Sequence, residues 1–253
     1  MKLSKSKKDL IGYFINVVVH PRTPKPDPSK RILACVGDSL TYGAGVRFTR
    51  QRDSYPAQLG ALLGDEWQVL NYGLSWRTLQ DTGDLPYKSD RFFQESLKCE
   101  AEIYLLMLGS NDAKYFNWNE ENYRQELRSF VKAYQALPQK PVVLLMQPTI
   151  AWRDRHGREP FGVMLHILEH ELHDIIAEIG AETGCRVIDL YRLSEAHPDW
   201  FHDASHPNQK GNRMIAHYIR GVLYESYAFH AAAAKTNPVS AGASQDASLS
   251  EYN

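Results

Sequence analysis

Apolar and polar positions along the 253-residue chain follow two different periods in turn. Short, nearly continuous apolar runs fall at 31–36, 68–71, 103–108, within 141–147 and at 186–190. Runs of that length with little polar alternation predict strands covered on both faces, as in a parallel sheet. Between them the apolar positions recur at helical spacing. In 120–137, Tyr123, Leu127, Phe130, Val131 and Tyr134 share one face. Further helices are predicted at 55–63, at 162–180 with Gly180 as the stop, and at 208–224. Strands and helices in alternation predict an α/β protein.

The two ends of the chain break this pattern. Residues 21–29 hold four prolines and read as an extended linker into the first strand. Residues 1–30 are therefore expected to form an arm and linker, 31–230 one domain, and 231–253, rich in Ala and Ser, a flexible tail. Residues 1–8 are basic and 10–19 moderately apolar, but Asp9 and Asn16 interrupt the run and His20-Pro21-Arg22 offers no small-residue cleavage site. An arm packed on the domain is the simpler reading. It predicts a cytoplasmic protein, with secretion through an atypical leader as the alternative. No stretch is long and apolar enough to span a membrane as a helix.

Composition narrows the partners. The formal net charge of −1 gives no electrostatic footprint for nucleic acid. The three cysteines, Cys35, Cys99 and Cys185, have no metal-ligand spacing. Cys35 and Cys185 lie in or beside strands, where buried thiols are expected.

The chemistry concentrates at strand ends. Gly37-Asp38-Ser39-Leu40-Thr41-Tyr42-Gly43 follows the first strand, and the carboxyl edge of an open α/β sheet is where ligands bind. A serine there needs a base to become a nucleophile. Asp203-Ala204-Ser205-His206-Pro207 supplies one near the other end of the chain, with an aspartate able to hold one ring nitrogen while the other stays free. Gly109-Ser110-Asn111-Asp112 follows the third strand, where an Asn amide can donate to an oxyanion. Asp38 is placed to brace the serine turn and, with Gly73, Trp76, Tyr115, Trp118 and Trp152, is a candidate to line the substrate site. Each motif alone is an ordinary turn; together and in this order they are specific.

The set resembles the SGNH hydrolases, the GDSL esterase/lipase family, over about 31–227. The resemblance implies a three-layer α/β/α sandwich on a flavodoxin-like five-stranded parallel sheet of order 2-1-3-4-5. It implies Ser39 as nucleophile with its own N–H in the oxyanion hole, Asn111 as side-chain donor, His206 as base and Asp203 as its partner. No cofactor or metal is implied.

One block departs from the family pattern. In Asn71-Tyr72-Gly73-Leu74-Ser75-Trp76 the position expected to be glycine is Trp76. Three readings follow. Trp76 donates its N–H and shapes the acyl pocket; Gly73 serves after a shift of the loop; or the site is weakened. Tyr115, Phe116, Trp118 and Trp152 sit near the catalytic edge, either as a packed rim or as a platform for sugar or acyl groups. His166, His170 and His173 share roughly one helix face, and a solvated polar face is preferred to a metal site there. Arg153, Asp154, Arg155 and His156 read as a solvated loop. Segments 54–59 and 109–118 are similar to those of family members that deacetylate carbohydrates, sialate O-acetylesterases among them. The expected function is thus hydrolysis of short, acetyl esters on a carbohydrate. Alternatives are a broader esterase, thioesterase or lysophospholipase, a weakened carbohydrate-binding protein, and an acetyltransferase.

Overall fold

The computed structural model describes residues 21–225. Five parallel strands, β1 (Arg31–Gly37), β2 (Trp67–Gly73), β3 (Ile103–Met107), β4 (Val142–Gln147) and β5 (Arg186–Asp189), pair in the order β2-β1-β3-β4-β5. The helices are α1 (Ser39–Tyr42), α2 (Arg50–Asp53), α3 (Tyr55–Leu63), α4 (Arg91–Lys98), α5 (Glu120–Gln135), α6 (Leu165–Glu169), α7 (Glu171–Thr183), α8 (Leu190–Ser194) and α9 (Gln209–Glu225).

The two-residue period of a strand divides the core in two. Ile32, Ala34 and Val36 of β1 face a core with Tyr104 and Leu106 of β3, covered by Phe92 of α4, the apolar face of α5 and Ile175, Ile176 and Ile179 of α7. Leu33 and Cys35 face the opposite core with Leu105 and Met107, covered by Tyr55 and Leu59 of α3 and Ile215, Ile219 and Leu223 of α9. This is the three-layer sandwich. The five apolar residues predicted to share one face of α5 are all buried. Cys35, Cys99 and Cys185 are buried free thiols, and burial pushes the Cys35 thiol far up.

Two elements differ from the sequence pattern. The predicted helix over 162–180 is a tight turn at Pro160–Gly162 followed by α6 and α7, which meet at a bend at His170. The chain does not stop at Gly180, which lies buried against the Val187 side chain, but at Gly184, whose φ of 69° closes the last turn. Helix α4 was not legible as an apolar run because it is strongly amphipathic; its signal is Asp90, which caps it by accepting from the Phe92 N–H at 3.0 Å. Residues 25–27 of the proline-rich segment lie along β2, where Gln68 bonds Asp27 N and Lys25 O. The expectations for residues 1–20 and for the 231–253 tail lie outside the described residues.

Candidate active site

Strand β1 ends at Gly37, and the chain turns at once into α1. A Cβ on residue 37 would run into Thr41 Oγ1 and the Met107 carbonyl, so only glycine lets the turn pack this closely. Asp38 caps α1, its Oδ1 accepting from the Leu40 N–H at 2.9 Å. Its carboxyl is fully buried; burial raises its pKa, opposed by the Leu40 N–H bond. Asn71 of β2 ties the turn from the other side through Nδ2 to the Thr41 carbonyl at 2.9 Å. The Ser39 side chain is thus held at the carboxyl edge of β1, an inner strand flanked by β2 and β3.

The loop before α9 carries the partner groups. Ser39 Oγ lies 2.9 Å from His206 Nε2, and His206 Nδ1 lies 2.9 Å from Asp203 Oδ2 and 3.1 Å from Oδ1. Asp203 Oδ1 also accepts from the backbone N–H groups of Ser205 and His206, at 3.2 and 2.8 Å. Burial raises the Asp203 pKa, but the His206 bonds outweigh it and leave it below the ordinary value. The loop is anchored where the Trp152 N–H, just past β4, donates to the Ala204 carbonyl at 2.7 Å, and where Asn212 Nδ2 donates to the Pro207 carbonyl at 2.7 Å. A serine hydroxyl bonded to an imidazole whose far nitrogen meets a carboxylate is the geometry of a base-assisted nucleophile.

Asn111 follows β3 and reaches the same pocket. Its Nδ2 donates to the Arg77 carbonyl at 3.2 Å and to Asp38 Oδ2 at 3.4 Å. Both bonds are long for N–H···O, so a substrate oxygen can displace one of them. The neighbouring Asp112 works differently. Its two oxygens accept from the Leu79 and Gln80 N–H groups at 2.9 and 2.8 Å, holding the loop that carries Trp76. Burial pushes its carboxyl up to about 7.

Trp76 has a φ of 70°, the left-handed conformation that the expected glycine would adopt without strain. Phe161 (φ 55°) and Ala204 (φ 63°) are strained in the same way, so three of the five positive-φ non-glycine residues among the described residues belong to this site. The indole of Trp76 meets the Phe161 ring edge-on at 6.0 Å, and Phe161 lies 5.6 Å from the His206 ring. Lys114 Nζ also lies over the indole, 4.3 Å from the ring centroid. Lys114 is only 1 % exposed, and its ammonium has no hydrogen-bond partner among the described residues. Burial lowers its pKa, opposed by the charges of Asp84, Asp38 and Asp112. A desolvated cation–π contact contributes about 2 kcal/mol, which is comparable to the ~1–3 kcal/mol cost of a strained backbone residue.

Ser39, Ser75, Trp76, Asn111, Phe161 and His206 enclose a cavity of about 170 Å³, with Arg47 also on its wall. Not every residue expected to bind substrate is there. Asp38 is sealed beneath the turn. The Gly73 N–H is used by Asn71 Oδ1 at 2.8 Å, and the residue packs on the Tyr42 backbone, so Gly73 does not take the place of Trp76. Trp118 packs on Tyr123. Tyr115 and Phe116 are exposed and pack edge-on against each other beside the pocket rather than in its wall. Trp152 and the loop of Arg153, Asp154, Arg155 and His156 line a wider groove that shares Asp203 with the first cavity. Asp154 pairs with Arg158 at 2.7 Å. His173 turns to Asp189 at 3.1 Å, and no group of three His, Cys, Asp or Glu able to hold a metal occurs among the described residues.

Sequence reasoning missed Phe161, Arg47 and the burial of Lys114. The Pro160-Phe161-Gly162 triplet is a turn signal that marks where Phe161 leaves regular structure. Nothing in the local pattern marks Lys114 as buried.

Residues 35–214 match the model of the GDSL-like lipase/acylhydrolase family, a span that includes every residue of this pocket. The chain belongs to that family. It is 30% identical over 219 residues to an acetylxylan esterase of Xylanibacter ruminicola, covering 79% of this chain and 44% of that protein. The chain therefore spans less than half the length of this relative. Among solved structures it is similar to Est24, a carbohydrate acetylesterase from Sinorhizobium meliloti, with TM-score 0.61, 20% identity and coverage of 77% and 99%. It is also similar to the acetyl xylan esterase AlAXEase, with TM-score 0.59, 22% identity and coverage of 76% and 98%. At these identities the two structures speak for the fold.

Proposed function

We propose that this chain removes acetyl groups from the hydroxyls of a carbohydrate through an acyl-enzyme on Ser39. The observation that carries the reading is the chain of contacts from Ser39 Oγ through His206 to Asp203 at the wall of a cavity of about 170 Å³. In this reading His206 takes the Ser39 proton as Oγ attacks the ester carbonyl. The oxyanion is held by the Ser39 N–H, the Asn111 amide and the Trp76 N–H. His206 then protonates the departing sugar hydroxyl. Water, deprotonated by His206, attacks the acyl-serine, and acetate leaves as Ser39 regains its proton. Asp203 keeps the imidazole oriented and stabilises its charged form.

The Trp76 and Phe161 rings on the wall beside Ser39 favour a short acyl group such as acetyl. The acetylxylan esterase relative supports a carbohydrate as the alcohol. Hydrolysis of p-nitrophenyl acetate, butyrate and octanoate tests the reading. Turnover falling steeply from acetate to octanoate is expected. Preference for octanoate would move the assignment to a lipid or broad-range esterase, and binding of acetylated oligosaccharide without turnover would make the chain a binding protein.

A further inference from the structure

Lys114 has no place in the reaction as written, yet it is the most unusual side chain near the pocket. Lysine is almost never fully buried unless paired, and this one is buried with no hydrogen-bond acceptor and its Nζ on the face of Trp76. Its backbone is engaged too. Residue 114 forms a bridge to Val163, Tyr115 N donates to the Gly162 carbonyl at 3.3 Å and Met164 N donates to the Ala113 carbonyl at 2.8 Å. The segment carrying Phe161 is therefore fixed to the same short stretch whose side chain grips the Trp76 indole. Trp76 meets Phe161, and Phe161 meets His206.

Two conformations compete at residue 76. A tryptophan prefers the extended or right-handed regions, where its N–H would point elsewhere, and it is held instead at φ 70°. Strain of this kind persists only when the surroundings over-determine it. The surroundings here are the Phe161 ring set at right angles to the indole, the Lys114 ammonium over it, and the Asp112 carboxyl, which accepts from the Leu79 and Gln80 N–H groups of the loop that follows.

We infer that Lys114 is a positioning residue for the reaction: seated on the indole, its ammonium holds residue 76 in the left-handed conformation in which the Trp76 N–H faces the oxyanion and the ring walls the acyl pocket. The inference rests on the proposed roles of Ser39 and Trp76. It explains how a family position expected to be glycine carries the bulkiest side chain: the restraint that glycine makes unnecessary is supplied from residue 114.

A double-mutant cycle on the full chain tests this, with kcat and KM for p-nitrophenyl acetate and Tm measured throughout. Lys114→Met keeps the length of the side chain and removes its charge. It is expected to lower kcat roughly tenfold, a fraction of the ~100- to 1,000-fold effect of losing an oxyanion donor outright, with KM little changed. In the Trp76→Gly background, where the left-handed conformation needs no restraint, the same substitution is expected to change kcat less than about twofold. Equal losses in both backgrounds would overturn the inference, as would a lower Tm with kcat unchanged in the parent chain. Should Lys114→Met not fold, Lys114→Gln takes its place. A crystal structure of the charge-free variant gives a second reading: Trp76 is expected to leave positive φ or its indole to reorient, and an unmoved Trp76 in a chain with lowered kcat would contradict the restraint. Failure of the underlying reading looks different, because Ser39→Ala would then retain turnover whatever Lys114 does.

Discussion

The two walls of the pocket are built in opposite ways. On the Ser39 side, the turn at Gly37, Asp38 and Ser39 is a short capped helix in which glycine sits where close packing demands it and the side chains make bonds near 2.9 Å. On the facing side, Trp76 and Phe161 occupy left-handed backbone where glycine would be at ease, and hold it through ring contacts and a buried ammonium. The turn of the first wall is held by its own cap, with Asn71 and His206 reaching it from elsewhere in the chain. The second depends on residues distant in sequence. Strain gathered around one pocket, here at Trp76, Phe161 and Ala204, points to a function for the shape it imposes.

The largest expected effect breaks the first wall. His206→Ala is expected to lower kcat/KM for p-nitrophenyl acetate by at least ~10⁴-fold with Tm close to the parent, as loss of a base from a coupled nucleophile does. Near-parent activity in a folded His206→Ala chain would remove His206 from the mechanism. Asn111→Ala probes the meeting point of the two walls. The account expects a loss of ~100- to 1,000-fold in kcat, the effect of one oxyanion donor, with a smaller change in KM. A loss confined to KM would make Asn111 a ground-state binding group instead.

The smallest effect lies in the support of the second wall and is read as a pH dependence. Asp112 has its carboxyl raised to about 7 in the folded chain, against an ordinary value of 3.8. A raised value means that the folded state holds the proton more tightly. Its contribution to stability is complete below about pH 4 and is lost as pH rises through about 7. Relative to Asp112→Asn, the parent chain is therefore expected to lose Tm between pH 5 and pH 8. A difference in Tm between the two that stays constant across this range, or that grows in the parent's favour, would contradict the assignment of the buried carboxyl.

Much of this was legible before any coordinates. The strands announce themselves because parallel strands covered on both faces are apolar throughout, as at 103–108. The pocket residues announce themselves because Ser39 and Asn111 each follow such a run and the Asp203–His206 pair is local. What was hidden has physical reasons. Helix α4 is too amphipathic to stand out by apolar content. The segment predicted as one helix over 162–180 contains an apolar period that continues across the bend at His170. The second wall was hardest of all. A buried lysine looks in sequence like any solvated lysine, since its burial is decided by Trp76 and Val163, which no local period connects to it. The aromatic residues next to Asn111 misled in the opposite direction: Tyr115 and Trp118 are near the site in sequence, while Phe161, distant in sequence, closes it.

The proposed chemistry turns on cleavage of acetyl esters through Ser39. The most direct measurement is acetate released from acetylated xylan by the parent chain and by Ser39→Ala, at matched concentration and with equal Tm confirmed. Steady release by the parent and release indistinguishable from the uncatalysed rate by Ser39→Ala are expected. Release by Ser39→Ala at a rate near that of the parent would contradict it.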